Sequence, residues 1–525
     1  MDILVMLNRK DGQYKVNKPL INAYLKDLTK SETFNVDNFD DFIKAFKHCK
    51  SVGNFSILVQ LACNSYLLYD NAKDIIKDRE YSKRLITCIT QCTNKVFNDI
   101  NHLALFVNHN NAYFFAYQDI SNVELYSLVA KMLIKICPDL LYKSPRLSTR
   151  DNKRIKVGFI SDYLTSFHSV TRDRLGIVKH LFIDSDFEVK VMTRKPQTDY
   201  FYNEVVFKDI DTANLLVELD NNDITVMRKQ IEDQRFDIII YPEIGMCPVN
   251  RYIAFSRLAP IQITTWGHSD TSGLPHIDYY ISSKYFNTPE DQSYYSEKLL
   301  LFDSLGTYYY DISRYLEYVN STPTNIRESI IEKTGVANPN IYGCLQIFFK
   351  LHPIFVRMVN LILDIDKNAV IMLLSTKPDN PEYSYINDYI DKQFKHKDRL
   401  YVVETAPYIE YTNYIRSCDV ILDYYPFGGF NSTIESFSLG KIVITRPGKR
   451  ISGKFTQGLY NKMGITEFIC HSEHEYAHKA IEYASNPNKR SIYQNLIREN
   501  LSKVFEDIDS VTEWKTTLKR LYQAK

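Results

Sequence analysis

Three short stretches hold residue types whose spacing could do chemistry. The first is Asp423–Gly440, DYYPFGGFNSTIESFSLG. It reads as a strand end, a tight turn at Gly428 and Gly429, and a helix opened by Asn431, Ser432 and Thr433. Unpaired N–H groups and hydroxyls at a helix N-terminus suit an anion such as a diphosphate. Glu435, one turn further, could accept hydrogen bonds from ribose hydroxyls. An ordinary capped helix after a glycine turn has the same letters, and a glycine pair does not decide between the two. The second stretch is QIFFKLHP, Gln346–Pro353, directly after an expected strand. Lys350, at the carboxyl end of that strand, can neutralise charge building on a departing diphosphate. A solvated lysine at a helix start is the plain alternative. The third stretch, Ser166–Val170, offers His168 to act on an acceptor hydroxyl or to bind a sugar, or as a loop histidine without a role.

Elements able to position these residues can be read on either side of Arg154. Roughly residues 1–145 are helical. Phe42, Ile43 and Phe46, then Ile57, Leu58, Leu61 and Ala62, recur at three- and four-residue spacing, as do Leu125, Leu128, Val129, Met132 and Leu133. No fixed period emerges, so a helical-repeat array is open only in degenerate form, and the region is expected to be a cap or adaptor. Short β-branched runs then alternate with helical stretches, at Ile155–Ile160, Phe187–Met192, Phe236–Tyr241, Ile261–Thr265 and Ile277–Ser282. A second series begins at Ile341–Leu345 and continues through Ala369–Leu374, Leu400–Val403, Val420–Tyr424 and Lys441–Thr445. This alternation predicts parallel βαβ units in two Rossmann-like lobes, residues 150–320 and 321–525, joined near Ser304–Pro339. The fold class is therefore α/β, with a cleft between the carboxyl ends of the strands. The last helix, about Val511–Gln523, is a candidate to cross back to the first lobe.

Bulk properties set limits on function. A chain of 525 residues is expected to hold two or three domains. Lys+Arg 64 against Asp+Glu 63 leaves a net charge of +1, which is no footprint of nucleic-acid binding. The nine cysteines are scattered without a CxxC pair, as for reduced thiols in a cytoplasmic protein. Met1 to Lys10 carries too short an apolar core for a secretory signal, and no apolar run approaches the ~18 residues that cross a bilayer.

Further ordered motifs accompany the three stretches. They are KVGFIS at Lys156–Ser161 followed by His168, YPEIGM at Tyr241–Met246, RLAPIQITTWGHSDTSG at Arg257–Gly273 and IDYYISS at Ile277–Ser283. After QIFFKLHP and PFGGFNSTIE come VITRPG at Val443–Gly448 and SGKFTQGLYNKMG at Ser452–Gly464. With these motifs in this order, the chain from about His109 to its end resembles glycosyltransferase family 41. That family takes in the animal O-GlcNAc transferases, SPINDLY-type proteins and bacterial adhesin N-glucosyltransferases.

The resemblance implies a GT-B enzyme, inverting and independent of metal, with no cofactor besides a UDP-sugar donor. The implied sugar is GlcNAc or glucose, and the implied acceptor a protein or peptide Ser/Thr hydroxyl, or an Asn amide. Carried over residue by residue, His168 stands at the family's active-site histidine and Lys350, in the motif begun by Gln346, at its diphosphate-contacting lysine. Asn431, Ser432 and Thr433 match the diphosphate turn, and Glu435 the acidic ribose ligand. Gly267 and His268 lie in the loop approaching the donor sugar. Tyr408 and Tyr411 replace a base-contacting Lys and His of the animal enzyme, and stacking on them could hold a base. Phe430 stands where many relatives have Gly or His, and Ser269 where Pro commonly follows. A sugar-nucleotide epimerase of the same fold and a non-catalytic sugar-nucleotide-binding scaffold are the alternatives. One further motif, HEYAH at His474–His478, fits the HExxH zinc signature, but it lies on a helix with an apolar stripe and lacks a third-ligand motif. No metal is expected.

Overall fold

The computed structural model describes residues 18–524 apart from 32, 34, 36, 50, 64, 67, 108–111, 150–152, 312–325 and 381–382. The expectations for Met1 to Lys10, for His109 and for the middle of the inter-lobe join lie outside the described residues.

Seven parallel strands form the first sheet: β1 (Ile155–Ile160), β2 (Phe187–Thr193), β3 (Leu216–Glu218), β4 (Ile238–Tyr241), β5 (Ile261–Thr264), β6 (Tyr279–Ser283) and β7 (Lys298–Phe302). Their order is β3-β2-β1-β4-β5-β6-β7. The second sheet holds β8 (Asn340–Cys344), β9 (Ala369–Ser375), β10 (Leu400–Glu404), β11 (Val420–Leu422) and β12 (Val443–Ile444), all parallel, in the order β10-β9-β8-β11-β12. Strand order reverses between β1 and β4 in one sheet and between β8 and β11 in the other. Such reversals open a crevice beyond the carboxyl ends of the strands, the usual ligand site of a doubly wound sheet.

Strand alternation explains how the first sheet is covered. Val157, Phe159, Ile238 and Ile240 face one core, and Ile160, Ile239 and Tyr241 face another, as the two-residue period requires. The second of these cores is shared with Leu58, Leu85, Leu125, Val129 and Leu133 of the N-terminal helices. Those helices, including Val52–Cys63, Ala72–Cys92 and Val123–Ile136, are thus built onto one face of the sheet. They also reach the second lobe, because Asp119 accepts the N–H groups of Lys449 and Arg450 at 2.8 and 3.0 Å. Tyr389 and Gln393 donate to the Tyr69 carbonyl and the Asp70 carboxylate at 3.1 and 2.8 Å.

The opposite face is covered by the helix Ser169–Phe182 and by the last helix, Ile508–Ala524, which buries Val511, Trp514, Leu518 and Leu521 there. Trp514 Nε1 donates to the Gly306 carbonyl at 2.9 Å, and the Glu513 carboxylate accepts the N–H groups of Asp303 and Ser304, each at 2.8 Å. The chain therefore ends packed on the lobe it left before β8.

Candidate active site between the lobes

In the second lobe, β8 runs into Gln346, a single turn at Phe348–Lys350, and then the helix Pro353–Ile365. Lys350 Nζ donates to Gln346 Oε1 at 3.0 Å, lies 3.4 Å from the Gly428 carbonyl, and sits 4.6 Å above the Phe427 ring. Gln346 Nε2 in turn donates to Asp423 Oδ1 at 2.9 Å. Asp423, just past β11, also accepts the Gly429 N–H and the Thr445 hydroxyl, each at 2.8 Å. One buried carboxylate therefore fixes both the lysine's partner and the glycine turn. Burial lowers the Lys350 pKa to about 8, with Asp423 opposing the shift. The ammonium stays mostly protonated at neutral pH while poorly hydrated, the condition under which a point charge acts most strongly on a nearby anion.

Gly429 lies close against its helix, because a Cβ there would meet Ser432 Oγ at 2.0 Å and that hydroxyl would have to turn away. The helix Asn431–Ser438 follows with Phe430 at its N-cap, and no side chain caps it. Asn, Asp or Ser would normally satisfy its first donors, so Phe430 leaves backbone N–H groups beside Asn431 and Ser432 for an anion. Asn431 Oδ1 accepts from the Tyr309 hydroxyl at 2.9 Å. Glu435 forms a buried ion pair with Arg172 of the first lobe.

The first lobe presents Ser169, Arg172 and Asp173, spaced to share one side of their helix. Beside them run Trp266, Gly267 and His268. The Gly267 N–H donates to the Pro242 carbonyl at 3.0 Å, and a Cβ on Gly267 would lie 2.5 Å from that oxygen. His268 is buried and stacks on Tyr113 of the helical region, 5.0 Å between centroids at 22°. Burial pushes its pKa down to about 4, so the ring is neutral. Tyr117 packs on Phe427 at 4.5 Å and on Phe349 at 5.1 Å. Together these walls enclose a cavity of about 460 Å³, of the size that holds a small ligand, roughly 300–1,000 Å³.

Lys350, Gln346, Gly267, His268, Tyr408, Tyr411, Asn431, Ser432 and Glu435 all line this one cavity. Thr433 is turned inward, its hydroxyl donating to the Gly429 carbonyl at 2.9 Å and lying 2.8 Å from the Thr456 hydroxyl. His168 is also not on the cavity wall: its Nδ1 accepts the Val170 N–H at 3.2 Å as the N-cap of its helix, and its ring stacks on Tyr163 at 4.3 Å. Burial, with Arg172 and Lys195 adding to it, lowers its pKa to about 4, which keeps Nδ1 an acceptor. In HEYAH, His474 and His478 are exposed while Glu475 accepts the His471 N–H at 2.8 Å and Ser472 accepts the Glu475 N–H at 3.0 Å. The motif is the capped start of the helix Glu473–Ser485, and among the described residues no three metal-ligating side chains gather.

Arg172, Asp173, Tyr113 and Tyr117 were not anticipated. The run Thr171-Arg172-Asp173-Arg174 has the letters of a solvated helix face, yet all four side chains are buried: Arg172 pairs with Glu435 of the second lobe, while Thr171 donates to the Tyr163 carbonyl and Arg174 lies over Trp266 within the first. Tyr113 and Tyr117 reach the cavity only through tertiary packing.

Comparison with known proteins agrees with this geometry. A Thermobaculum terrenum O-GlcNAc transferase mutant superposes with a TM-score of 0.63 over 97% of this chain and 99% of its own, at 16% identity. The UDP-glucose:protein N-beta-glucosyltransferase of Actinobacillus pleuropneumoniae is 26% identical over 278 residues, 52% of this chain and 42% of that protein. The probable UDP-N-acetylglucosamine--peptide N-acetylglucosaminyltransferase SPINDLY of Solanum lycopersicum is 22% identical over 375 residues, 68% of this chain and 38% of its own length. The chain thus spans less than half the length of these curated relatives. No protein-family model matches it. The fold, with helices on one side and a cleft between two doubly wound lobes, is that of the GT-B glycosyltransferases. In sequence the chain is similar to the protein N-glucosyltransferases and to the SPINDLY proteins.

Proposed function

We propose that the chain transfers a sugar, glucose or N-acetylglucosamine, from a UDP-sugar to a protein, at a Ser/Thr hydroxyl or an Asn amide. The observation that carries this reading is the joint placement of Lys350 and the uncapped N-terminus of Asn431–Ser438 in one inter-lobe cavity. Oriented N–H groups and a poorly hydrated ammonium stabilise a diphosphate most as it departs and gains charge, which is how such contacts speed a reaction. They support transfer without a metal ion and with inversion, the acceptor entering from the first-lobe side opposite the leaving group. Tyr408 and Tyr411 offer a base-stacking surface, and Glu435 offers acceptors to the ribose.

Asp173 supports a role in taking the acceptor's proton. It is 3% exposed, and its Oδ1 has no hydrogen-bond partner. Burial, partly offset by Arg174 and Arg172, pushes its pKa up to about 7, near the working range of a general base. The nine free cysteines support a reducing, cytoplasmic setting.

The test is UDP release from UDP-glucose, UDP-N-acetylglucosamine and GDP-sugars in EDTA, with intact-mass analysis of candidate acceptor proteins. The expected result is UDP release coupled to a hexose or N-acetylhexosamine mass increment. Donor turnover that yields only an isomerised nucleotide sugar would replace the transferase with an epimerase, and donor binding without turnover would make the chain a sugar-nucleotide binder.

A further inference from the structure

Glu435, the carboxylate suited to a ribose, is not idle in this structure. Arg172 Nη1 pairs with it across the lobes, and the two residues are 8% and 3% exposed. The guanidinium is gripped between Phe167 at 4.7 Å and Tyr408 at 5.4 Å. Burial opposes its charge, but Tyr309, Glu435 and Tyr408 outweigh burial and raise its pKa, so it is a permanent cation in the cavity. Its Nε is buried and makes no hydrogen bond. A guanidinium carries five N–H donors in a rigid fork, and a buried one left without an acceptor is costly. The partner that would use those donors is planar or tetrahedral, anionic and oxygen-rich.

We propose that Arg172 is a diphosphate-binding residue supplied by the first lobe. The inference rests on the nucleotide-sugar reading above. When the cavity is empty, Glu435 holds the guanidinium in place. When a nucleoside diphosphate enters, the ribose hydroxyls take over Glu435, and the freed fork turns to the phosphate oxygens. Lys350 and Arg172 then flank the diphosphate from opposite lobes, so that binding it draws the two lobes together. The position calls for Arg rather than Lys, because only the fork can hold one carboxylate oxygen and then span two phosphate oxygens.

Calorimetry with uridine and UDP on the wild type, Arg172→Met, Arg172→Lys and Glu435→Gln tests this. Arg172→Met is expected to weaken UDP by roughly 10- to 100-fold, the scale of a lost charge-assisted contact. Uridine affinity should be unchanged or tighter, because Glu435 is then free for the ribose. Arg172→Lys should recover part of the UDP affinity. Glu435→Gln should weaken uridine and UDP alike. Equal losses of uridine and UDP in Arg172→Met would show that the arginine only supports Glu435, and undiminished UDP affinity would show that it does not meet the phosphates. Either result overturns the proposal. Should Arg172→Met fail to fold, the double variant Arg172→Met/Glu435→Gln removes the uncompensated buried charge, and its ratio of UDP to uridine affinity decides the matter in the same way. A wild type that binds no UDP would overturn the nucleotide-sugar reading itself, and this inference with it.

Discussion

β1 and β8 are the first strands of their lobes, and each leads through a short loop to a histidine that opens a helix. His168 precedes Ser169–Phe182, and His352 precedes Pro353–Ile365. In both, Nδ1 accepts the N–H two residues on at 3.2 Å, and burial lowers both pKa values to about 4. The loops differ in what else they carry. In the second lobe the cation, Lys350, stands before the cap and is anchored through Gln346 to Asp423. In the first lobe the charged residues, Arg172 and Asp173, stand after the cap on the helix itself. A histidine at a strand end is thus an architectural solution in both lobes, and the charges that reach the cleft come from its neighbours.

The comparison can be broken most severely at the second lobe's turn. Gly429→Val should weaken UDP binding by roughly 5- to 100-fold, because the new Cβ displaces Ser432 and overpacking of this kind costs ~1–3 kcal/mol. Titration calorimetry checks it, and wild-type affinity would mean that the turn does not meet the diphosphate. Next in size is Asp173→Asn, which should lower turnover and flatten the acid limb of the pH–rate profile. The folded-state pKa of Asp173 is raised to about 7, so the base form, and activity with it, grows as pH rises through that value. An unchanged profile would remove Asp173 from proton transfer.

Smaller effects test whether the two histidines are equivalent. His168→Ala and His352→Ala should each lose about 1 kcal/mol of stability, the usual worth of an N-cap, and the Asn variants should restore it. His168→Asn keeping wild-type turnover would confirm His168 as a cap, whereas a folded but inactive Asn variant would return it to the chemistry. Acid should act on both lobes together. Because these histidines have folded pKa values near 4, below the usual 6.5, the unfolded chain binds more protons between those values. Stability should therefore fall as pH drops from about 6.5 toward 4, and more gently in the double Asn variant, as thermal melts at several pH values would show.

The central strands were legible because β-branched runs such as Ile155–Ile160 and Ile238–Tyr241 have few other uses. The strands not anticipated are the outer ones: three-residue, half-exposed β3 and β7, whose Lys298-Leu299-Leu300-Leu301 run is only partly buried. Lys350 and the Gly428–Ser432 turn were legible because a lysine just past a strand and a glycine pair before a helix are signals local in sequence. Arg172 and Asp173 were not, since an Arg-Asp-Arg run acquires its meaning only when the second lobe closes over it. Nor did periodicity show that the N-terminal helices share a core with the first sheet, or that Tyr113 would stack on His268, because both depend on contacts far apart in sequence.

The most direct measurement is turnover of a UDP-sugar by Lys350→Met beside the wild type, with UDP affinity determined for both. Removal of a preorganised charge from the leaving diphosphate should cut turnover by roughly a hundredfold or more and weaken UDP, which carries that charge in full, as well. Turnover close to wild type in Lys350→Met would contradict the account, because the cavity's chemistry would then not depend on the charge that defines it.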